Sequence, residues 1–133
     1  MKLSTAKVLG DILLAMKINR IADKDAKKLL TKSFLSLRKA VKEADEDREE
    51  IARKFREDWA EEIGKDTHSE EYLDAEKEAN DAIRELYDKD VDVQLFPVDA
   101  DVLFDPDLWG ADDTFGQIAN SVDFLVQNGI ATQ

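Results

Sequence analysis

Asp88, Asp90, Asp92 and Asp99 stand at the first, third, fifth and twelfth positions of a possible calcium loop. Carboxylates at that spacing suit a hard divalent cation, which collects oxygen ligands around a sharply turned backbone. The sixth position, however, is Val93 where the turn needs glycine, and the twelfth lacks the glutamate that would bind through both oxygens. Residues 91–96 also alternate in polarity like a half-buried strand, which would aim Asp92 at solvent. A solvated strand face accounts for these acids better than a metal, and no metal ligand or cofactor is assigned.

Other catalytic chemistry finds little support. There is no cysteine, which excludes disulfides, thiolate nucleophiles and thiolate metal sites. The one histidine, His68, falls in a turn with Lys65 three residues before it, so the Glu-x-x-His pairs of a dimetal carboxylate site are absent. The five glycines are dispersed and form no phosphate-cradling loop, and no Ser-His-Asp set is evident. The run "EADEDREE" at residues 43–50 looks like a solvated helix surface, where nothing would shift a carboxylate toward acid–base work. The expectation is a protein that is not an enzyme.

Charge is distributed unevenly. Residues 1–42 hold eleven Lys/Arg against three Asp, a balance of +8, and residues 43–133 hold eight Lys/Arg against twenty-eight Asp/Glu, a balance of −20. The segment "DKDVDVQLFPVDADVLFDPDLWGADD", residues 88–113, carries nine aspartates and no basic residue after Lys89. Such asymmetry points to charged partners, to head-to-tail contacts, or to a basic helix packed beside acidic ones. Direct nucleic-acid binding is disfavoured, because the molecule is negative overall and no aromatic platform interleaves the N-terminal lysines. No apolar run approaches the ~20 residues that span a bilayer. The opening "MKLSTAKVLGDILLAMKINR" is interrupted by Asp11 and followed at once by Lys17 and Arg20, so it reads as an amphipathic helix of a cytoplasmic protein.

The elements that would carry these groups are mostly helical. The first helix spans about Ser4 to Arg20, with Ser4 as cap and Leu9, Ile12, Leu13 and Met16 on one face. A long second helix opens at Asp23 or Asp25. Its seam is Leu30, Phe34, Leu37, Val41, Ala44, Ile51 and Phe55, in steps of four and three that pass through the polar Arg48 between Ala44 and Ile51, and Gly64 closes it. Thr67 and Glu70 have capping-box spacing for a third helix, which packs Tyr72, Ala75, Ala79, Ala82 and Leu86 against the second. Residues 91–96 and 98–103 alternate as strands, and Pro106 and Gly110 punctuate a loop. Thr114 and Gln117 then open a last helix with Phe115, Ile118, Val122 and Leu125 inward and Gly129 at its end. The fold class expected is mostly α (α+β): a long helical hairpin over residues 1–89, its N-terminal helix alongside, and a small strand-plus-helix cap over residues 90–133, all in one domain.

Taken in order, "MKLSTAKVLGDILLAMKINRIADKDAKKLLTKSFLSLRKAVKEADEDREEIARKF" and "EKEANDAIRELYDKDVDVQLFPV" carry a resemblance. A basic helix runs into an acidic helical stem, then a "DVDV" strand and a final helix. In this the chain resembles a family of small acidic phage and prophage proteins. The resemblance implies a phage-type setting in the host cytoplasm and brings with it no catalytic motif, cofactor or site residues. With it, the leading expectation is a non-enzymatic accessory or assembly protein acting through protein–protein contacts, with a partner protein or by self-association. The alternative is an acidic antagonist that imitates a nucleic-acid backbone against a host nucleic-acid-binding or defence protein. Candidate contact residues are Trp59, Trp109, Asp101, Asp105 and Asp107. For the aspartate run, adding calcium to chelator-treated protein is expected to leave the melting temperature unchanged. A saturable rise at micromolar calcium would reinstate the metal loop.

Overall fold

In a computed structural model covering residues 1–133, helix α1 runs from Leu3 to Ala15, α2 from Lys24 to Asp58, α3 from Glu70 to Asp88 and α4 from Phe115 to Gln127. Short 3-10 turns at Ile18–Arg20, Ala100–Phe104 and Pro106–Leu108 fill the connections. Two short strands, β1 (Val98–Asp99) and β2 (Ala131–Thr132), pair in parallel, with Val98 opposite Ala131. The fold is mostly α, as the periodicity implies.

Helix α2 dominates the shape. Its 35 residues make a rod of about 52 Å. The Asp23 carboxylate caps it by accepting from the amides of Asp25 and Ala26. It stops at Asp58, short of Gly64, which takes a positive φ of 94° in the turn beyond. Within this turn the Glu62 carboxylate accepts from the amide and hydroxyl of Ser69, tying the chain to the start of α3. Ser69 in turn accepts from the Tyr72 amide, so Ser69, and not Thr67, caps α3. The hairpin is antiparallel: Tyr72 packs on Phe55 near the tip, and Tyr87 donates to Asp45 further down.

The core lies at the other end of the rod. There α1 covers the first half of α2, and the cap closes over both. Leu9, Leu13, Leu30, Leu37, Leu103, Leu108, Val122, Leu125 and Ile130 are fully buried in one cluster. From Asp45 to Pro97, by contrast, Tyr72 is the only buried residue. Beyond the end of α3, where α1 reaches Tyr87, the two stem helices are covered mainly by each other. Along the seam, Leu30, Leu37 and Ala44 are therefore buried, while Phe34, Val41, Ile51 and Phe55 are half-buried. Helix α1 ends at Ala15, not Arg20, because the Lys17 amide turns away to the Leu108 carbonyl at 2.7 Å. Ser4 does not cap it either. The Leu3 amide donates to the Lys89 carbonyl at 2.9 Å, a distant backbone group in place of a local hydroxyl.

The segment 91–96 departs furthest from expectation. Val91, Val93 and Leu95 do pack against the core while Asp92 and Gln94 face water. Yet the segment forms no strand. Its backbone is extended along α2 and hydrogen-bonds to serine hydroxyls on that helix. The Gln94 amide donates to Ser36 Oγ and the Phe96 amide to Ser33 Oγ, both at 2.8 Å. Ser33 is the one buried polar residue, and its hydroxyl also donates to the Phe96 carbonyl at 3.5 Å. The second expected strand survives only as β1. From Ala100 the chain winds into a 3-10 turn, whose period of three puts Ala100 and Leu103 on one buried side.

These hydroxyls yield a test. Ser33→Ala leaves the Phe96 amide without a partner in a dry setting and is expected to destabilise by about 1–3 kcal/mol in denaturant melts. Ser36→Ala, where water can replace the hydroxyl, is expected to matter less. Equal losses at the two positions would show that the Ser33 bond is not desolvated.

Candidate protein-interaction surface

The C-terminal cap is assembled by bonds that fix one side chain after another. Asp99 accepts from the Asp101 amide and starts the Ala100–Phe104 turn. Asp105 accepts from the Asp107 amide and starts the next, with Pro106 set in its first position. Trp109 is then driven inward, and its indole Nε1 donates to the Leu103 carbonyl at 2.8 Å. Asp113 accepts from the Gly110 amide at 2.8 Å, and the Thr114–Gln117 capping box opens α4 with both reciprocal bonds present.

The result is an aromatic pair on the outside. Phe104, at the end of its 3-10 turn, and Phe115, in the first turn of α4, stack at 6.4 Å between centroids with 29° between planes. Phe104 is 38% exposed and Phe115 75% exposed. Beside them lies a shallow groove of about 390 Å³ lined by Phe104, Ala100, Ala119, Val122 and Val126, with Asp101 and Asp123 at its polar edge. Residues 90–133 contain nine aspartates and no Lys, Arg or His. The one ion pair that any of these aspartates makes is between Asp90 and the N-terminal amine, at 3.9 Å.

The structure sorts the candidate contact residues. Asp101, Asp105 and Asp107 are exposed and lie in the turns flanking Phe104. Trp109 is not available as a contact residue. At 6% exposure it belongs to the core and pins the loop that presents Phe104. Trp59 is half-buried at the end of α2, 26 residues beyond Ser33 and so roughly 39 Å along the rod from the cap. It therefore shares no surface with the aspartates. Phe115 faces solvent, contrary to the inward position that its spacing with Ile118, Val122 and Leu125 suggests. It lies on the helical face of Ile118, Val122 and Leu125, but at the first position of α4 it is left exposed and stacks on Phe104.

Around Trp59 a second aromatic cluster closes the stem. Tyr72, 5% exposed, meets Phe55 at 5.4 Å, Trp59 edge-on at 5.8 Å and His68 stacked at 4.2 Å. His68 Nδ1 is buried with no hydrogen-bond partner in the chain. This is a packing cluster: no group of three His, Asp or Glu is placed to hold a metal ion. No helix of the chain is long and apolar enough to cross a membrane. No family model, no curated protein and no solved structure matches this chain.

Burial, followed by the nearby Glu76 and Glu62 carboxylates, raises the Tyr72 phenol above its ordinary value of 10.0. The group stays neutral in the folded protein at a pH where the unfolded chain has begun to ionise. Its contribution to stability is complete below the unfolded value and lost as pH rises through the folded one. Phenolate absorbance is expected to show a step above pH 10.0 that Tyr72→Phe removes, along with part of the alkaline loss of stability. Full ionisation at the ordinary value would mean that the stem tip is open to water.

Proposed function

We propose that this chain is a non-enzymatic contact protein, an accessory or assembly protein of the phage and prophage type, that docks the aromatic face of its cap on another protein. The observation carrying this reading is Phe115, three-quarters exposed and stacked on Phe104 in a setting of unpaired aspartates. Burying an aromatic side chain of this size contributes about 1.5–3 kcal/mol, an amount the monomer forgoes here. Aromatic anchors with a charged rim are the usual anatomy of a protein interface. The aspartates would steer a partner bearing apolar side chains set among Lys or Arg, and the phenylalanines would hold it.

The nine aspartates of residues 90–133, with no cation among them, favour a second reading. An acidic antagonist would present them in place of a nucleic-acid backbone to a basic groove. The two readings differ in which term carries affinity. A phosphate-like decoy loses binding steeply as salt rises, whereas an aromatic anchor is affected weakly.

A partner captured by photo-crosslinking from Phe104 or Phe115 positions would be titrated at low and moderate salt. Phe115→Ser is expected to weaken binding by roughly tenfold or more, on the scale of an interface hot spot. Replacing Asp101, Asp105 and Asp107 together with Asn is expected mainly to slow association. Trp59→Ala, remote on the stem, should leave affinity unchanged. If salt and the Asn replacements abolish binding while Phe115→Ser leaves it intact, the contact reading gives way to the antagonist.

A further inference from the structure

Charge pairing within the molecule is lopsided. Every ion pair made by a side-chain cation belongs to Arg53, Arg56 or Arg84 on the stem. None of the eleven Lys/Arg of residues 1–42 has a carboxylate partner within the chain. A basic helix neutralised by acidic neighbours in its own fold would show such pairs. Two surfaces of opposite sign instead stand open on one rigid molecule.

The basic surface also has a shape. Between α1 and α2 lies a groove of about 350 Å³ with Leu14, Phe34 and Val41 as its apolar lining and Lys7, Arg38 and Lys42 around it. Leu14 is 64% exposed. Two of these cations rest on aromatic faces, Arg38 over Phe34 at 5.9 Å and Lys7 over Tyr87 at 5.3 Å, which leaves their charge unneutralised. Two carboxylates also line the groove. Asp45 already accepts from the Tyr87 hydroxyl, and Asp11 is exposed on α1, so the cations outnumber the acids.

We infer that the partner of the cap is a second copy of this chain, with the Phe104–Phe115 face of one molecule seated in the α1–α2 groove of the next. This rests on the preceding reading of the cap as a contact face. The complement is specific on two counts: an exposed aromatic pair meets an open apolar groove, and aspartates with no cation beside them in sequence meet a groove whose three cations form no ion pair and outnumber its two carboxylates. Groove and cap share no residue, so each molecule uses both at once. Such a contact is heterologous and propagates as an open chain, or as a ring if the rotation closes. Most of the attraction between the two rims is screened beyond about 8 Å at physiological salt, so it steers the docking that the aromatic pair then secures.

Sedimentation of the full chain across concentration reads this directly. Wild-type protein is expected to grow beyond a dimer as concentration rises, and high salt should slow that growth while weakening it only slightly at equilibrium. Phe115→Ser, with a dead cap and an intact groove, should stay monomeric. So should the double variant Arg38→Glu/Lys42→Glu, with a dead groove and an intact cap. Mixed in equal amounts, the two should form a one-to-one dimer that grows no further, because one good cap and one good groove remain. All three positions are at least partly exposed, and helical circular dichroism confirms that each variant is folded. Wild type that stays monomeric at every concentration, or a mixture that does not dimerise, overturns self-association. If Phe115→Ser nonetheless loses a crosslinked partner that the groove variant keeps, the cap remains a contact face for a different protein.

Discussion

Two serine hydroxyls on α2 decide where the cap sits. The chain leaving α3 must run back along the rod, and an extended segment needs partners for its amides. A second strand would ordinarily supply them. Here Ser33 and Ser36 do so from the surface of a helix, one turn apart, which matches alternate amides of the extended chain at Phe96 and Gln94. Because Ser33 is buried, water has little access to its end of the bond to Phe96. That fixes the register of Val91, Val93 and Leu95 against the core and delivers Val98 to its pairing with Ala131. Backbone bonds from Val91 to Met1 and from Lys17 to Leu108 anchor the same segment and cap at two further points.

The molecule is consequently two things joined by one helix. At one end α1, the first half of α2 and the cap share a dry core of leucines. At the other, a two-helix stem is held by an aromatic tip around Tyr72 and by small residues on α3, its ion pairs each lying within a single helix and contributing little to the pairing. Stability resides at the core end. The stem adds length and charge to a structure whose folding it contributes to only modestly.

The two incompletely covered surfaces have a common origin. A chain of 133 residues that extends α2 to 35 residues has limited material to cover both flanks of its core. The groove beside Phe34 and the overhanging first turn of α4 are places where coverage runs out. One is ringed by cations and the other by aspartates, because the chain's two ends differ in composition and the fold holds the two surfaces apart.

The local signals in the sequence were sufficient for the presence and inward faces of the helices, though not for every end. Periodicity placed the buried faces of α1, α2 and α3, Asp23 and the Thr114–Gln117 box marked two starts, and Gly129, with a φ of 83°, marked the end of α4. These features depend on bonds between residues a few positions apart, so composition and spacing express them. Alternation in residues 91–96 likewise reported which side chains face inward, but it carried no information about where the backbone amides go. Their partners were hydroxyls some 60 residues away. Trp109 went inside and Phe115 outside for the same reason. Helical spacing gives the direction of a side chain around its axis, whereas burial depends on whether another part of the chain stands opposite. Only the tertiary arrangement decides that, and with it which aromatics and which charges remain for a partner.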